Sequence, residues 1–175
     1  MKSLFFPGIV IIVLIIFCSG CTNTTNNDTL ISESTGIPVS EVPNLAYDTS
    51  KSTGTIKSIQ FKGVNLTMNQ CLYIFAKGIV MVNNGEKGNV PIKTIQKADN
   101  PSGTVNSAKI AKNEYLDMAD RTYKWMDQNN KVPNYIGVYE GGANDLSPEM
   151  LLRTFVKVLT EYKSSGKLPE NVSVP

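Results

Sequence analysis

The stretch SPEMLLRTFVKVLTEYKSSG, residues 147–166, predicts a helix and sets the pattern on which the rest of the fold is built. Ser147 suits the N-cap, Pro148 fits the first helical turn, and Gly166 suits a helix end. Because apolar side chains recur at helical spacing along this stretch, one side of the helix is expected to face a core. The residues of that side are Leu151, Thr154, Phe155, Val158, Leu159 and Tyr162.

Two further helices are predicted, over residues 68–84 and 113–129. Thr67 and Gln70 form a capping-box pattern at the start of the first, and Gly85 follows its end. Its core-facing stripe is predicted as Leu72, Phe75, Ala76, Ile79 and Val82 or Asn83. The stripe of the second helix is predicted as Leu116, Ala119, Tyr123 and Met126.

The helices resemble one another in sequence. TMNQCLYIFAKGI at 67–79 aligns with SPEMLLRTFVKVL at 147–159, and KVPNYI at 131–136 recurs as KLPENV at 167–172. A helix that cannot cover its own apolar stripe must pack on its copies. The predicted fold class is therefore mainly α, a small helical repeat module over residues 55–175.

Strand is predicted to be minor in this module. TIKSIQFKGVNLT at 55–67 alternates around Lys62 and Gly63, which predicts a β-hairpin. NVPIKTI at 89–95 is a second extended candidate. Apolar contacts of the hairpin are expected from Ile56, Ile59, Phe61 and Val64.

The N-terminus predicts export. Residues 4–17 are apolar but shorter than a typical spanning helix, and the following CSGC at 18–21 resembles the lipobox of prokaryotic lipoproteins. We therefore predict a signal peptide over 1–21 with lipid attached to Cys21, although Cys18 stands where the lipobox usually has an aliphatic residue. An ordinary signal peptide or an uncleaved anchor are the alternatives. Each of the three places the body outside the cell.

Residues 22–54 are rich in Ser, Thr, Asn, Pro and Gly, and their apolar residues show no period. Such a composition does not bury enough apolar surface to offset the entropy cost of ordering the chain. This segment is predicted to be a flexible, disordered tether between the membrane and the module.

Composition excludes several function classes. The chain has no His, so His-dependent catalytic triads and His-based metal sites are excluded. Cys71 is the one Cys of residues 55–175, where it has no disulfide partner, and it is expected to be buried. Asp117 with Asp120 or Arg121 has the spacing of solvated neighbours on one helix face, which is far commoner than a catalytic pair. No cofactor, metal or enzyme activity is predicted. A net charge of +2 without a basic, aromatic-rich stripe argues against nucleic acid.

The KVPNYI motif has two interpretations. Asn130 and Pro133 can end a helix and Lys131 suits its negative end, so the motif can be a helix stop alone. A stop does not account for Asn134 and Tyr135, whose amide and ring suit a polymer rich in amides and sugars.

KNEYLDMADRTYKWMDQNNKVPNYI at 112–136 resembles the pseudomurein-binding repeat of methanogenic archaea, with its YLDMA-like helix start and Lys-aliphatic-Pro-Asn-Tyr exit. NLTMNQCLYIFAKGIVMVNNG at 65–85 and NPSGTVNSAKIAKNEYLDMA at 100–119 resemble other parts of such repeats. Ala111 departs from the family's Ser or Thr cap, and PENV at 169–172 departs from its PNYV.

The resemblance implies a non-catalytic module that binds pseudomurein, a peptide-crosslinked glycan wall, at the extracellular face of the membrane. The ligand-binding candidates are Asp117, Asn134 and Tyr135, followed by Tyr115 and Arg121. The alternative is an adhesin-like or structural surface lipoprotein that binds no specific wall polymer.

Overall fold

The computed structural model describes residues 31–52, 57–105, 107–138 and 145–173. Within these ranges it contains four α-helices joined by short antiparallel strand pairs, so the mainly α prediction is confirmed. None of the described helices is long and apolar enough to cross a membrane. The elements are β1 (Ile37–Pro38), α1 (Val42–Ser50), β2 (Ser58–Phe61), β3 (Val64–Thr67), α2 (Met68–Asn83), β4 (Asn89–Val90), β5 (Lys109–Ala111), α3 (Lys112–Asn129), α4 (Pro148–Ser165) and β6 (Asn171–Ser173).

The helices pack in the order α1, α4, α2, α3. The prediction for α4 is confirmed, because Ser147 caps it through Met150 N, Pro148 begins it and Gly166 ends it with a left-handed φ of 71°. In α2 the predicted one-sided stripe is wrong, since Tyr73, Ile74 and Met81 are buried as well as the predicted Leu72, Phe75, Ala76 and Ile79. Of the predicted alternatives at its end, Val82 is partly buried and Asn83 is exposed. Lying between α3 and α4, α2 is covered on both sides.

The hairpin is present as predicted. β2 and β3 pair with Phe61 opposite Val64, so Lys62 and Gly63 form a two-residue turn. Both have positive φ, 44° and 91°, as the favoured tight hairpin turns require. The chain then enters α2 through the predicted capping box of Thr67 and Gln70. Ile56 lies outside the described residues.

The prediction of a disordered tether over 22–54 is wrong for residues 31–52. In α1, Val42, Leu45 and Ala46 are fully buried, and the helix packs on α4. α2 also lies close, because a Cβ added to Gly78 would come within 2.7 Å of Val42 Cγ1. The folded module therefore includes residues 31–52, ahead of the predicted start at 55, while residues 1–30, with the predicted signal and Cys21, lie outside the described residues.

Composition hid α1 because this nine-residue helix lies within a longer segment rich in Ser, Thr, Asn, Pro and Gly. The burial of its apolar side chains depends on surfaces offered by α2 and α4, which are remote in sequence. Because so short a helix is not stable alone, its local sequence does not predict it.

The segments that leave the helices are built alike. Each contains a buried aliphatic residue followed by Pro: Val90 after α2, Val132 after α3 and Leu168 after α4. Each then pairs with the residues that precede another helix, giving the pairs β1–β4, β5–β6 and the bridge of Ile136 with Leu146. The sequence pattern predicts the second and third of these exits, whereas the first falls in the extended segment predicted over 89–95 and was not recognised as the same motif.

A charged cluster joins α2, α3 and the segment after β4. The Asp127 carboxylate accepts hydrogen bonds from Tyr73 Oη at 2.8 Å and from Lys93 Nζ, and Lys77 Nζ lies 3.8 Å away. Burial raises the pKa of Asp127, but the hydrogen bonds from Lys93 and Tyr73 and the charge of Lys77 outweigh it, so its pKa lies below the ordinary value.

Replacing Leu45 by Ala is expected to lower the free energy of unfolding by about 2–5 kcal/mol, because it removes a fully buried side chain from between helices. Asp48→Ala on the exposed side of α1 is the matched control and should change it by less than about 0.5 kcal/mol. Urea unfolding followed by circular dichroism measures both. If Leu45→Ala lowered the free energy of unfolding by no more than the control does, residues 31–52 would be a linker rather than part of the folded module.

Acid should weaken the Asp127 cluster. Since the pKa of Asp127 is lower in the folded chain than in the unfolded one, its contribution is complete above the ordinary value of 3.8 and is lost as pH falls through the folded-state pKa. At neutral pH, Asp127→Asn should cost about 1 kcal/mol of unfolding free energy, and the difference from wild type should shrink in acid. Asp120→Asn, in an exposed pair with Lys124, is the control. An acid-independent deficit for Asp127→Asn would contradict the account.

Candidate functional site

The buried side of α3 differs from the predicted one. It is formed by Tyr115, Met118, Ala119, Thr122 and Met126, whereas the predicted Leu116 and Tyr123 are partly buried at its edge. Thr122 is also fully buried. Because Thr is polar, the spacing of apolar residues does not predict its burial. This rotation decides which α3 side chains remain at the surface.

Tyr115 is part of the core. It is fully buried, and its hydroxyl donates a hydrogen bond to the Pro169 carbonyl oxygen at 2.6 Å. Burial, together with the charges of Glu170 and Glu161, raises its pKa. The position of Tyr115 therefore supports a structural role, joining the start of α3 to the segment after α4, rather than the predicted ligand contact.

Asp117 and Arg121 lie at the surface as an ion pair. Arg121 Nε donates to Asp117 Oδ2 at 2.7 Å, and the side chains are 27% and 46% exposed for Arg121 and Asp117. Arg121 Nη2 also donates to the Gly137 carbonyl oxygen at 2.9 Å. Arg121 thus holds the segment after α3 alongside the helix.

Trp125 is a surface residue that sequence reasoning missed. It is 37% exposed and stands one helical turn beyond Arg121, so Asp117, Arg121 and Trp125 succeed one another along one side of α3. It is also the single Trp of the sequence and lies off the predicted stripe. A single Trp that lies off the core-facing stripe of a helix indicates an exposed aromatic residue, and this pattern could have predicted Trp125 as a site residue.

Asn134 and Tyr135 have different environments. Asn134 is partly buried: its Oδ1 accepts from Asn100 N at 2.9 Å and its backbone oxygen accepts from Ser102 N at 2.8 Å. Tyr135 is 52% exposed, more than any other large hydrophobic side chain of the described residues. The neighbouring Ile136 is buried and pairs with Leu146, so alternation turns Tyr135 outward.

We use the name outer face of α3 for the surface formed by Asp117, Arg121 and Trp125 of the helix together with Tyr135 of the segment that follows it. The Arg121–Gly137 hydrogen bond brings the segment that carries Tyr135 against the helix that carries Trp125. Trp125 and the Asp117–Arg121 pair on the helix, with Tyr135 on the segment that Arg121 binds, offer apolar surface together with donors and acceptors. Such a surface suits a hydrated polymer with hydroxyl and amide groups.

A separate groove of about 860 Å³ runs between the start of α2, the 97–101 segment and α4. Because Asn134 binds Asn100 and Ser102, it fixes one wall of this groove from behind. Of the segment that follows α3, Val132 lines the groove, and none of the five predicted ligand-binding residues does. Its apolar lining comes from Met68, Leu72, Ala98, Pro101, Val132, Pro148, Leu152 and Val156.

Groups suited to catalysis or metal binding are not assembled here. Burial raises the pKa of the Cys71 thiol to about 12, so it stays protonated within the core. Within the described ranges, no group of three or more Asp, Glu, Cys or His side chains is placed to hold a metal ion. Asp117 and Asp120 each lie 2.7 Å from a basic partner, Arg121 and Lys124 respectively.

Comparison with known proteins gives one informative match. No curated protein and no solved structure matches the chain. The family model of the pseudomurein-binding repeat matches residues 106–138, a stretch that contains β5, α3 and the segment bearing Tyr135. The predicted resemblance is thereby confirmed for this stretch: residues 106–138 are similar to the pseudomurein-binding repeat.

Proposed function

We propose that this protein is a cell-wall-binding module that attaches to pseudomurein through the outer face of α3 without cleaving it. The observation that carries the proposal is that the family match at 106–138 coincides with the surface where Trp125 and Tyr135 are exposed. Similarity to this family implies binding to the pseudomurein cell wall and hence a location outside the cell. The choice of surface is our inference.

Chemistry favours this surface for a polymer ligand. An aromatic ring gives a sugar or a peptide apolar contact at low entropy cost, because a ring side chain has few rotatable bonds. The Asp117 carboxylate, 46% exposed, accepts hydrogen bonds from hydroxyl or amide groups beside it. Arg121, held by Asp117 and Gly137, keeps these groups in fixed relative positions.

The side chains present support attachment without catalysis. The chain has no His to act as a general base, and Cys71 is a protonated core thiol. Asp117 and Asp120 are each engaged in an ion pair with a basic neighbour on the same helix. A binding role asks for none of these groups to react.

We further propose that lipid on Cys21 anchors the chain in the membrane, with the wall bound by residues 31–173. The residues that would carry the lipid belong to the apolar N-terminal sequence and its CSGC end. An adhesin-like or structural surface lipoprotein without specific wall binding is the alternative. Preference for pseudomurein over murein separates the two.

Trp125→Ala and Tyr135→Ala are each expected to weaken binding to purified pseudomurein sacculi about tenfold, because each removes an exposed aromatic contact. Arg121→Ala should weaken it as well, and Arg153→Ala, from the matched exposed pair with Glu149 on α4, should not. Sedimentation of the protein with sacculi at a series of protein concentrations gives the affinities. Murein sacculi serve as the second ligand.

Asn134 distinguishes contact from positioning in the same assay. Asn134→Asp keeps the Oδ1 acceptor for Asn100 N, whereas Asn134→Ala removes it. If Asn134 acts by holding the 96–102 segment, the Asp variant should bind like wild type. Equal wild-type binding to pseudomurein and murein, or unchanged binding by both aromatic variants, would defeat the proposed function.

Cys21→Ser is expected to move the protein from the membrane fraction to the soluble fraction, because it removes the thiol that would carry the lipid. Mass spectrometry of the wild-type N-terminus gives the independent check, with a lipid mass expected on Cys21. Cys18→Ser is the matched control and should leave fractionation unchanged. A wild-type protein that remains in the membrane with residues 1–20 intact and no lipid would support an uncleaved anchor instead.

A further inference from the structure

Among the described residues, the exposed aromatic side chains lie toward two ends of the row of helices. Trp125 and Tyr135 belong to the outer face of α3, and Tyr47, 40% exposed, lies on α1. Since the helices pack in the order α1, α4, α2, α3, these two surfaces are at opposite ends of the row. Tyr47 therefore belongs to a separate surface, outside the stretch that matches the family.

Tyr47 borders a concave site of about 360 Å³, a size within the range of small-molecule sites. Phe61 of the hairpin also borders the site, but it is only 4% exposed, so Tyr47 supplies the aromatic surface. The remaining lining is polar and includes two side-chain amides, one carboxylate and two ammonium groups, from Asn44, Gln60, Asp48, Lys62 and Lys163. An exposed aromatic ring combined with amides and charges can bind a pyranose, through its C–H surface and its hydroxyls.

Positive charge exceeds negative charge at this site. Lys62 Nζ is paired with Glu41 Oε1 at 2.9 Å, and Lys51 Nζ lies 3.8 Å from Asp48 Oδ1. Lys163 Nζ lies 5.3 Å from the Tyr47 ring centroid and interacts electrostatically with Glu41, but no carboxylate of the described residues is within ion-pair distance of it. The ring holds this ammonium at the cavity through a cation–π contact. An incoming carboxylate would neutralise it.

We propose that the cavity between α1, the β2–β3 hairpin and the end of α4 binds a saccharide unit that carries a carboxylate. The sugar ring lies against Tyr47, its hydroxyls meet the amides of Asn44 and Gln60, and its carboxylate pairs with Lys163. The site is independent of the outer face of α3. If both act on one acidic polymer, the two ends of the module give two points of attachment, which raises avidity without new contacts.

The test is a titration of the full chain, in detergent if the lipid is present, with D-glucuronate, D-glucose and acetate, followed by calorimetry. Glucuronate should bind at least about tenfold more tightly than either glucose or acetate, because it alone offers both ring and charge. Added salt should weaken its binding, since the charges are near the surface.

Lys163→Gln and Tyr47→Ala should each reduce glucuronate affinity about tenfold. Lys124→Gln, which removes an exposed lysine of α3 that does not line the cavity, is the control, and affinity should stay within about twofold. Tyr135→Ala should likewise leave it unchanged, which separates this site from wall binding by α3. Circular dichroism checks folding, and Lys163→Gln alone decides the matter if Tyr47→Ala misfolds. Equal affinities for glucuronate and acetate, no glucuronate binding, or full affinity in Lys163→Gln would overturn the proposal.

Discussion

The structure depends on the burial of α2 between α3 and α4. Tyr73, Ile74 and Phe75 are consecutive in α2 and all fully buried, which is possible when neighbours cover a helix on more than one side. α1 completes this arrangement by approaching α2 at Gly78, where the lack of a side chain lets Val42 come close. The other helices can therefore be amphipathic, and their polar sides are free to carry function.

The segments that leave the helices connect this core to the surface. Each buries an aliphatic residue before its Pro and pairs with the residues that precede another helix. After α3 the same short segment turns Val132 and Ile136 inward and Tyr135 outward. A residue that ends a helix and one that meets a ligand can thus be neighbours, so the helix-stop and ligand interpretations of KVPNYI are both compatible with the fold.

Polar contacts fix the positions that packing leaves open. Asp127 joins α2, α3 and Lys93, and Tyr115 joins α3 to Pro169. Arg121 and Asn134 hold the segments on either side of the outer face of α3. Breaking such a hydrogen bond costs free energy. These contacts therefore restrict the movement of the segments that carry the exposed rings of Trp125 and Tyr135.

The sequence by itself determined α2, α4, the hairpin at Lys62 and Gly63, and the resemblance at 112–136, because caps, turn residues and helical period are local signals. Tertiary structure alone decided that residues 31–52 fold, since α1 gains its stability from surfaces remote in sequence. It also decided the rotation of α3, which buried Tyr115 and exposed Trp125, because several rotations satisfy one mixed pattern. Only the packed partners α2 and Pro169 select one of them, and that selection fixes which side chains remain for a ligand.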